Sequence, residues 1–129
     1  MSLLEFQNES FDNDSKTILK NISVSIEKGD FISIVGPSGS GKSTFLKLCC
    51  HLISSTGGNI TYKGKNITWY NPTELRKSIG YCFQTPYLFG DTVADNINFP
   101  FPLERAYYIF FKYKHSCIFE ILHPYFYPL

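Results

Sequence analysis

Phe31-Ile32-Ser33-Ile34-Val35-Gly36-Pro37-Ser38-Gly39-Ser40-Gly41-Lys42-Ser43-Thr44 is the stretch whose reading decides the fold. Five mostly apolar residues, 31–35, have the composition of a short strand covered on both faces, as in a parallel sheet. They run directly into a glycine-rich loop. Residues 43–53 then read as a helix, with Leu46 and Leu48 among its apolar positions. The loop matches the spacing G-x-x-x-x-G-K-[ST], and a strand before it with a helix after it is the setting in which that spacing carries a mechanism.

Each residue type has a physical task there. Glycines at 36, 39 and 41 let the backbone curl so that successive N–H groups face inward, where a Cβ would block a ligand. Such a ring of amides is an anion nest, and the positive end of the following helix adds to it. The sequence therefore predicts phosphate binding by Gly36, Pro37, Ser38, Gly39, Ser40, Gly41, Lys42, Ser43 and Thr44. Lys42 would set its ammonium on the β- and γ-phosphates of a triphosphate, and Ser43 would give its hydroxyl to Mg²⁺. A triphosphate with Mg²⁺ is the expected ligand of the loop, and the resemblance given below implies that it is ATP.

Outward from the loop, Leu3–Ser10 and Ile18–Ile26 read as strands joined by turn formers in 11–17, and Lys28-Gly29-Asp30 reads as a turn. Asn59–Lys63 and Lys65–Thr68 flank Gly64 like a hairpin. Pro72–Lys77 suits a short helical turn with proline early in it. Ser78–Phe83 reads as a strand and Thr92–Asn98 as a short helix.

Several of these runs together resemble the amino-terminal half of an ABC-transporter ATP-binding subunit. They are ILKNISVSIEKGDFISIVGPSGSGKST (18–44), GGNITYKGKNI (57–67) and LRKSIGYCFQTPYLFGDTVADNI (75–97). The wording is similar to bacterial iron-export ATP-binding subunits. The resemblance implies an α/β fold of the P-loop NTPase class, a RecA-like core with an antiparallel β subdomain, stopping before the helical subdomain and the Walker B strand. It also implies that Gln84, at the end of a strand, contacts Mg²⁺ and the attacking water. Residues 86–89, Pro-Tyr-Leu-Phe, then read either as a docking surface for a permease helix or as core packing. The implied partners are an integral membrane permease and a second ATP-binding subunit, with no nucleic acid. The implied place is the cytoplasm, on the inner face of the cell membrane through the permease. The implied function is to energise solute transport; the alternatives are a non-catalytic nucleotide-binding fragment of a disrupted gene, or an ABC-type ATPase outside transport.

The departures are as informative. No Asp ends a buried apolar strand as Walker B requires, and no LSGGQ-type signature or switch histidine is present. ATPase chemistry belongs to the family, so weak Mg-ATP binding with hydrolysis near background is the expectation for this chain. By register the adenine-stacking aromatic of the family falls near Asn13, which cannot stack; Phe11 is the nearest ring. Glu9 stands where the family prefers an apolar residue. The resemblance covers 1–102, a partial ABC-type ATP-binding domain. Residues 103–129 hold 9 aromatics in 27 positions with no Gly or Asp, and follow neither helical nor strand period. They read as an aberrant tail, out-of-frame or read-through sequence of a disrupted gene, the alternative being a genuine, divergent C-terminal helix.

Composition removes other classes. The net charge of +1 gives no electrostatic footprint for nucleic acid. There is no basic segment and apolar run of a secretory signal, and the apolar runs fall short of the ~20 residues that span a bilayer. The GTPase reader N-K-x-D is absent, and Arg76 and Arg105 are too few for the arginine clamp of a nucleoside-phosphate kinase. Cys49, Cys50, Cys82 and Cys117 show no CxxC spacing and read as reduced structural thiols. His51 reads as an ordinary residue at a helix carboxyl end.

Overall fold

The computed structural model describes residues 2–81, 88, 90–96 and, by backbone alone, 97–98, 108–113 and 116–121. Chain order is β1 (Leu4–Asn13), β2 (Lys16–Ile26), β3 (Phe31–Val35), α1 (Lys42–Cys49), β4 (Gly57–Tyr62), β5 (Lys65–Asn66), a 3₁₀ turn (Ile67–Trp69), α2 (Pro72–Ser78), α3 (Val93–Asn98), β6 (Tyr108–Tyr113) and β7 (Ser116–Ile121).

Two sheets form. In the first the order is β2-β1-β4-β5, and every pairing is antiparallel. β1 and β2 make a long hairpin from Leu4 opposite Ile26 to Asn13 opposite Lys16. Alternation drives it: Leu4, Phe6, Leu19 and Ile26 are buried, while Ser23 and Ser25 face water. β1 is not regular. The register slips on both sides of Glu9 against β2, and between Gln7 and Ser10 against β4. Asn8 and Asn21 take positive φ at these slips. Side chains supply the displaced amides with acceptors: Asn8 N–H donates to Ser23 Oγ at 2.9 Å and Asn21 N–H to Ser10 Oγ at 3.0 Å.

One core cluster unites this sheet with α1 and α2. Leu4, Phe6, Ile26, Leu46, Leu48, Cys49, Ile60 and Leu75 are all buried in it. Phe6 and Phe45 lie with ring centroids 4.7 Å apart, which ties β1 to α1. α1 ends at Cys49, four residues earlier than the sequence suggests, because His51 takes φ 50°, a left-handed conformation that stops the helix. α2 begins on Pro72 as expected, with Asn71 as its cap.

The second sheet corrects the reading of 31–35. Its order is β3-β7-β6, and β3 pairs antiparallel with β7, from Phe31 opposite Glu120 to Val35 opposite Ser116. β3 is not covered on both faces: Phe31 and Val35 are 65% and 76% exposed, while Ile32 and Ile34 pack on the core cluster. A five-residue apolar run cannot show which of its faces finds a neighbour, and here one face does. The second correction concerns the tail. Tyr108–Tyr113 and Ser116–Ile121 are strands, although their sequence shows no period of two. Of the expected strand Ser78–Phe83, Ser78 closes α2 and 79–81 form no strand; 82–83 lie outside the described residues.

Candidate functional site

The glycine loop is held between β3 and α1, and three of its glycines are dictated by geometry. Gly39 and Gly41 have φ 80° and 91°, left-handed values that any Cβ would strain. A Cβ on Gly41 would also stand 2.8 Å from Leu19 Cδ2 and 3.1 Å from the Ile18 carbonyl oxygen. Gly41 therefore lets β2 serve as the floor of the loop. A Cβ on Gly36 would stand 2.7 Å from Ser40 Oγ. Ser40 N–H donates to the Pro37 carbonyl at 3.2 Å, closing a turn at the loop's crest.

Helix α1 starts at Lys42, directly behind the loop. Its cap residue is Gly41, so no side chain caps the first-turn amides. No acidic residue stands in that first turn. The helix thus presents the positive end of its dipole toward the loop unopposed by its own side chains. Lys42 folds back over the loop: Nζ donates to the Gly36 and Pro37 carbonyls, each at 2.7 Å, and to Ser40 Oγ at 3.3 Å. All three acceptors are neutral. No carboxylate among the described residues accepts from this ammonium, and an anion entering the loop would meet it there.

The structure therefore brings Gly36, Pro37, Ser38, Gly39, Ser40, Gly41, Lys42, Ser43 and Thr44 into one loop–helix unit. Pro37, Ser38, Gly39 and Ser40 are exposed, and 41–44 are half-buried. Gln84 and its neighbours Pro86, Tyr87 and Phe89 lie outside the described residues; Leu88 is 74% exposed. Phe11 is half-buried, packs against the core cluster and pairs with Leu19, while Asn13 is exposed at the hairpin tip. Among the described residues no group of three or more His, Cys, Asp or Glu could hold a metal ion, so a divalent ion here would depend on hydroxyls and phosphate oxygens.

An ABC transporter family profile matches residues 19–122. The chain belongs to the ABC transporter family.

Relatives of this ABC-family chain agree. It is 45% identical over 103 residues to the "Probable iron export ATP-binding protein FetA" of Escherichia coli (strain K12), covering 80% of this chain and 46% of that protein. It is 35% identical over 97 residues to a "Probable ABC transporter ATP-binding/permease protein" of Haemophilus influenzae, covering 75% of this chain and 18% of that one. A solved structure of a bacterial Atm1-family ABC exporter with ATP bound matches with a TM-score of 0.65 at 35% identity, over 74% of this chain and 17% of that one. The chain thus spans about half the length of FetA and a smaller share of the ATP-binding/permease relative. The fold is that of part of an ABC ATPase domain: mixed α/β, with an antiparallel sheet beside the P-loop. No helix among the described residues is long and apolar enough to cross a membrane.

Glu9 stands out in the sequence and His51 does not, and both hold buried polar atoms without partners among the described residues. Glu9 has no exposed surface, and among the described residues neither carboxylate oxygen has a partner in good hydrogen-bond geometry, the Ser55 side chain offering only a weak interaction. Burial pushes its pKa up to about 7, with the Ser55 side chain pulling partly back. The signal was available, since an acidic residue replaced an apolar one on a core-facing β1 position. His51 has its Nδ1 buried without a partner, and its carbonyl accepts from Arg76 Nη2 at 2.8 Å. Burial and then the Arg76 charge lower its pKa. Nothing in the sequence around His51 signals this.

Proposed function

We propose that this chain is a nucleotide-binding component of an ABC transporter, taking Mg-ATP at residues 36–44 to energise solute movement through a membrane permease. The permease is either a separate subunit, as the name of the FetA relative suggests, or fused, as the name of the Haemophilus relative states. One observation carries the reading: an ammonium with only neutral acceptors, folded over a left-handed glycine loop at an uncapped helix start. In this reading Lys42 leaves its carbonyls for the β- and γ-phosphate oxygens, the first-turn amides hold the phosphates, and Ser43 holds Mg²⁺. Bound Mg²⁺ would neutralise phosphate charge. Gln84 would position water and the ion. A second copy of the domain would complete the sandwich, and the exposed Leu88 belongs to the face that a permease helix would use. The chain would then sit on the cytoplasmic side of the membrane.

Weak binding without turnover is the form of this function we favour for the chain itself, because no Walker B carboxylates, signature or switch histidine occur in its sequence. The division at 102, with 103–129 as separate sequence, belongs to the same proposal; the family match runs past that point, to 122. ATP titration of wild type and Lys42→Ala, with and without Mg²⁺, tests it. Saturable binding lost in the variant supports the reading, and equal behaviour of the two contradicts it.

A further inference from the structure

The residues beyond 102 end in the same sheet as the strand that carries the phosphate loop. Ser116 stands opposite Val35, the last residue before Gly36, and Tyr113 stands opposite Ser116. Val35, Ser116 and Tyr113 therefore form the row of the sheet nearest the loop. Ile34, Cys117 and Lys112 form the row behind it. Residues paired directly across a ladder share a face. Lys112 thus lies on the face of Ile34, which packs on the core cluster that includes α1, and opposite to the face of the exposed Val35. α1 also lies against β7. The chain that connects β3 to α1, which is the phosphate loop, must cross on that same face and at that same end.

We propose that the 108–121 hairpin is a working part of the polyphosphate site, its register placing Lys112 at the phosphate-loop end of the sheet to add positive charge for the bound anion. The proposal rests on the reading of residues 36–44 as that site. Two strand spacings separate Ile34 from Lys112, about 10 Å. That is close to the screening length at physiological ionic strength, about 8 Å. The contribution is accordingly long-range, few-fold in affinity and dependent on salt. Its sequence, Lys112-Tyr113-Lys114-His115, adds further basic residues beside Lys112, but Lys112 alone is placed by the register and carries the argument. A segment read from its sequence as an aberrant tail thereby gains a role.

The test uses the full chain at about 20 mM and about 500 mM salt, with inorganic tripolyphosphate and ATP as probes. Lys112→Glu should raise the dissociation constant for both about three- to tenfold at low salt and much less at high salt. Lys112→Arg, which keeps the charge, should bind like wild type. Register is checked separately: Ile34→Cys, oxidised, should cross-link to Cys117, whereas Ser33→Cys should not. An unchanged constant for Lys112→Glu at low salt, an equal loss in Lys112→Arg, or no cross-link from Ile34→Cys would each overturn the proposal. Lys42→Ala separates the two claims. If it abolishes binding while Lys112→Glu is silent, only the hairpin's role falls; if it binds like wild type, the loop reading itself falls.

Discussion

Glu9 is the residue whose environment most opposes its chemistry. A carboxylate without partners in a buried position is costly, so the folded state holds the proton more tightly than the unfolded chain does. The pKa rises from an ordinary 4.5 to about 7. Between those values the folded state binds more protons, so stability falls as pH rises through that window and levels off above about 7. The loss is on the order of 2 kcal/mol. Glu9→Leu should therefore melt higher than wild type at pH 8, by roughly 10 °C, with the gap narrowing toward pH 5. A pH-independent gap in thermal melts would show that Glu9 does not titrate in this window. At Gly41, Ala should cost about 1–3 kcal/mol from left-handed strain, beyond its collision with Leu19. Phosphate binding should be lost with it; a Gly41→Ala variant that melts and binds like wild type would contradict the loop geometry.

Among the elements, α2 offers the cleanest measurement. Asn71 Oδ1 accepts from Thr73 N–H at 2.9 Å and from Glu74 N–H at 3.4 Å. Asn71→Ala should lower stability by ~1 kcal/mol in urea unfolding, and no change in midpoint would mean the cap is solvated away. α2, like the loop and α1, was legible because local chemistry decides it: Pro72 suits a first turn, and glycines at 39 and 41 admit a backbone that other residues resist. β3 was legible as a strand but not in its surroundings. Phe31, Ser33 and Val35 share one face and Ile32 and Ile34 the other, yet both faces are largely apolar, so the sequence does not say which is covered. The tail hairpin was illegible for a related reason. Tyr108, Phe110, Ile109 and Phe111 put apolar groups at both parities, which erases the period of two. The irregular course of β1 near Glu9 depends on hydrogen bonds that the Ser10 and Ser23 hydroxyls accept from amides across the ladder, and such long-range satisfaction leaves no local mark in sequence.

At the scale of the molecule, the first sheet is well covered, and β3 of the second is covered on one face. β1, β2 and β4 share a core with both α1 and α2, whereas β3 leaves Phe31 and Val35 open to solvent. Exposed apolar side chains beside one another on a strand favour association. Phe31→Thr with Val35→Thr should raise solubility, measured by light scattering at rising concentration; unchanged scattering would place the sticky surface elsewhere. The glycine loop joins the two sheets, with Gly41 against Ile18 and Leu19 of β2 and Gly36 directly following β3. The decisive measurement is calorimetric titration of Mg-ATP into the full chain and into Lys42→Ala at matched stability. The account predicts one saturable site in wild type, weakened at least tenfold in Lys42→Ala, about 1.4 kcal/mol or more. Equal affinity in the two proteins would contradict it.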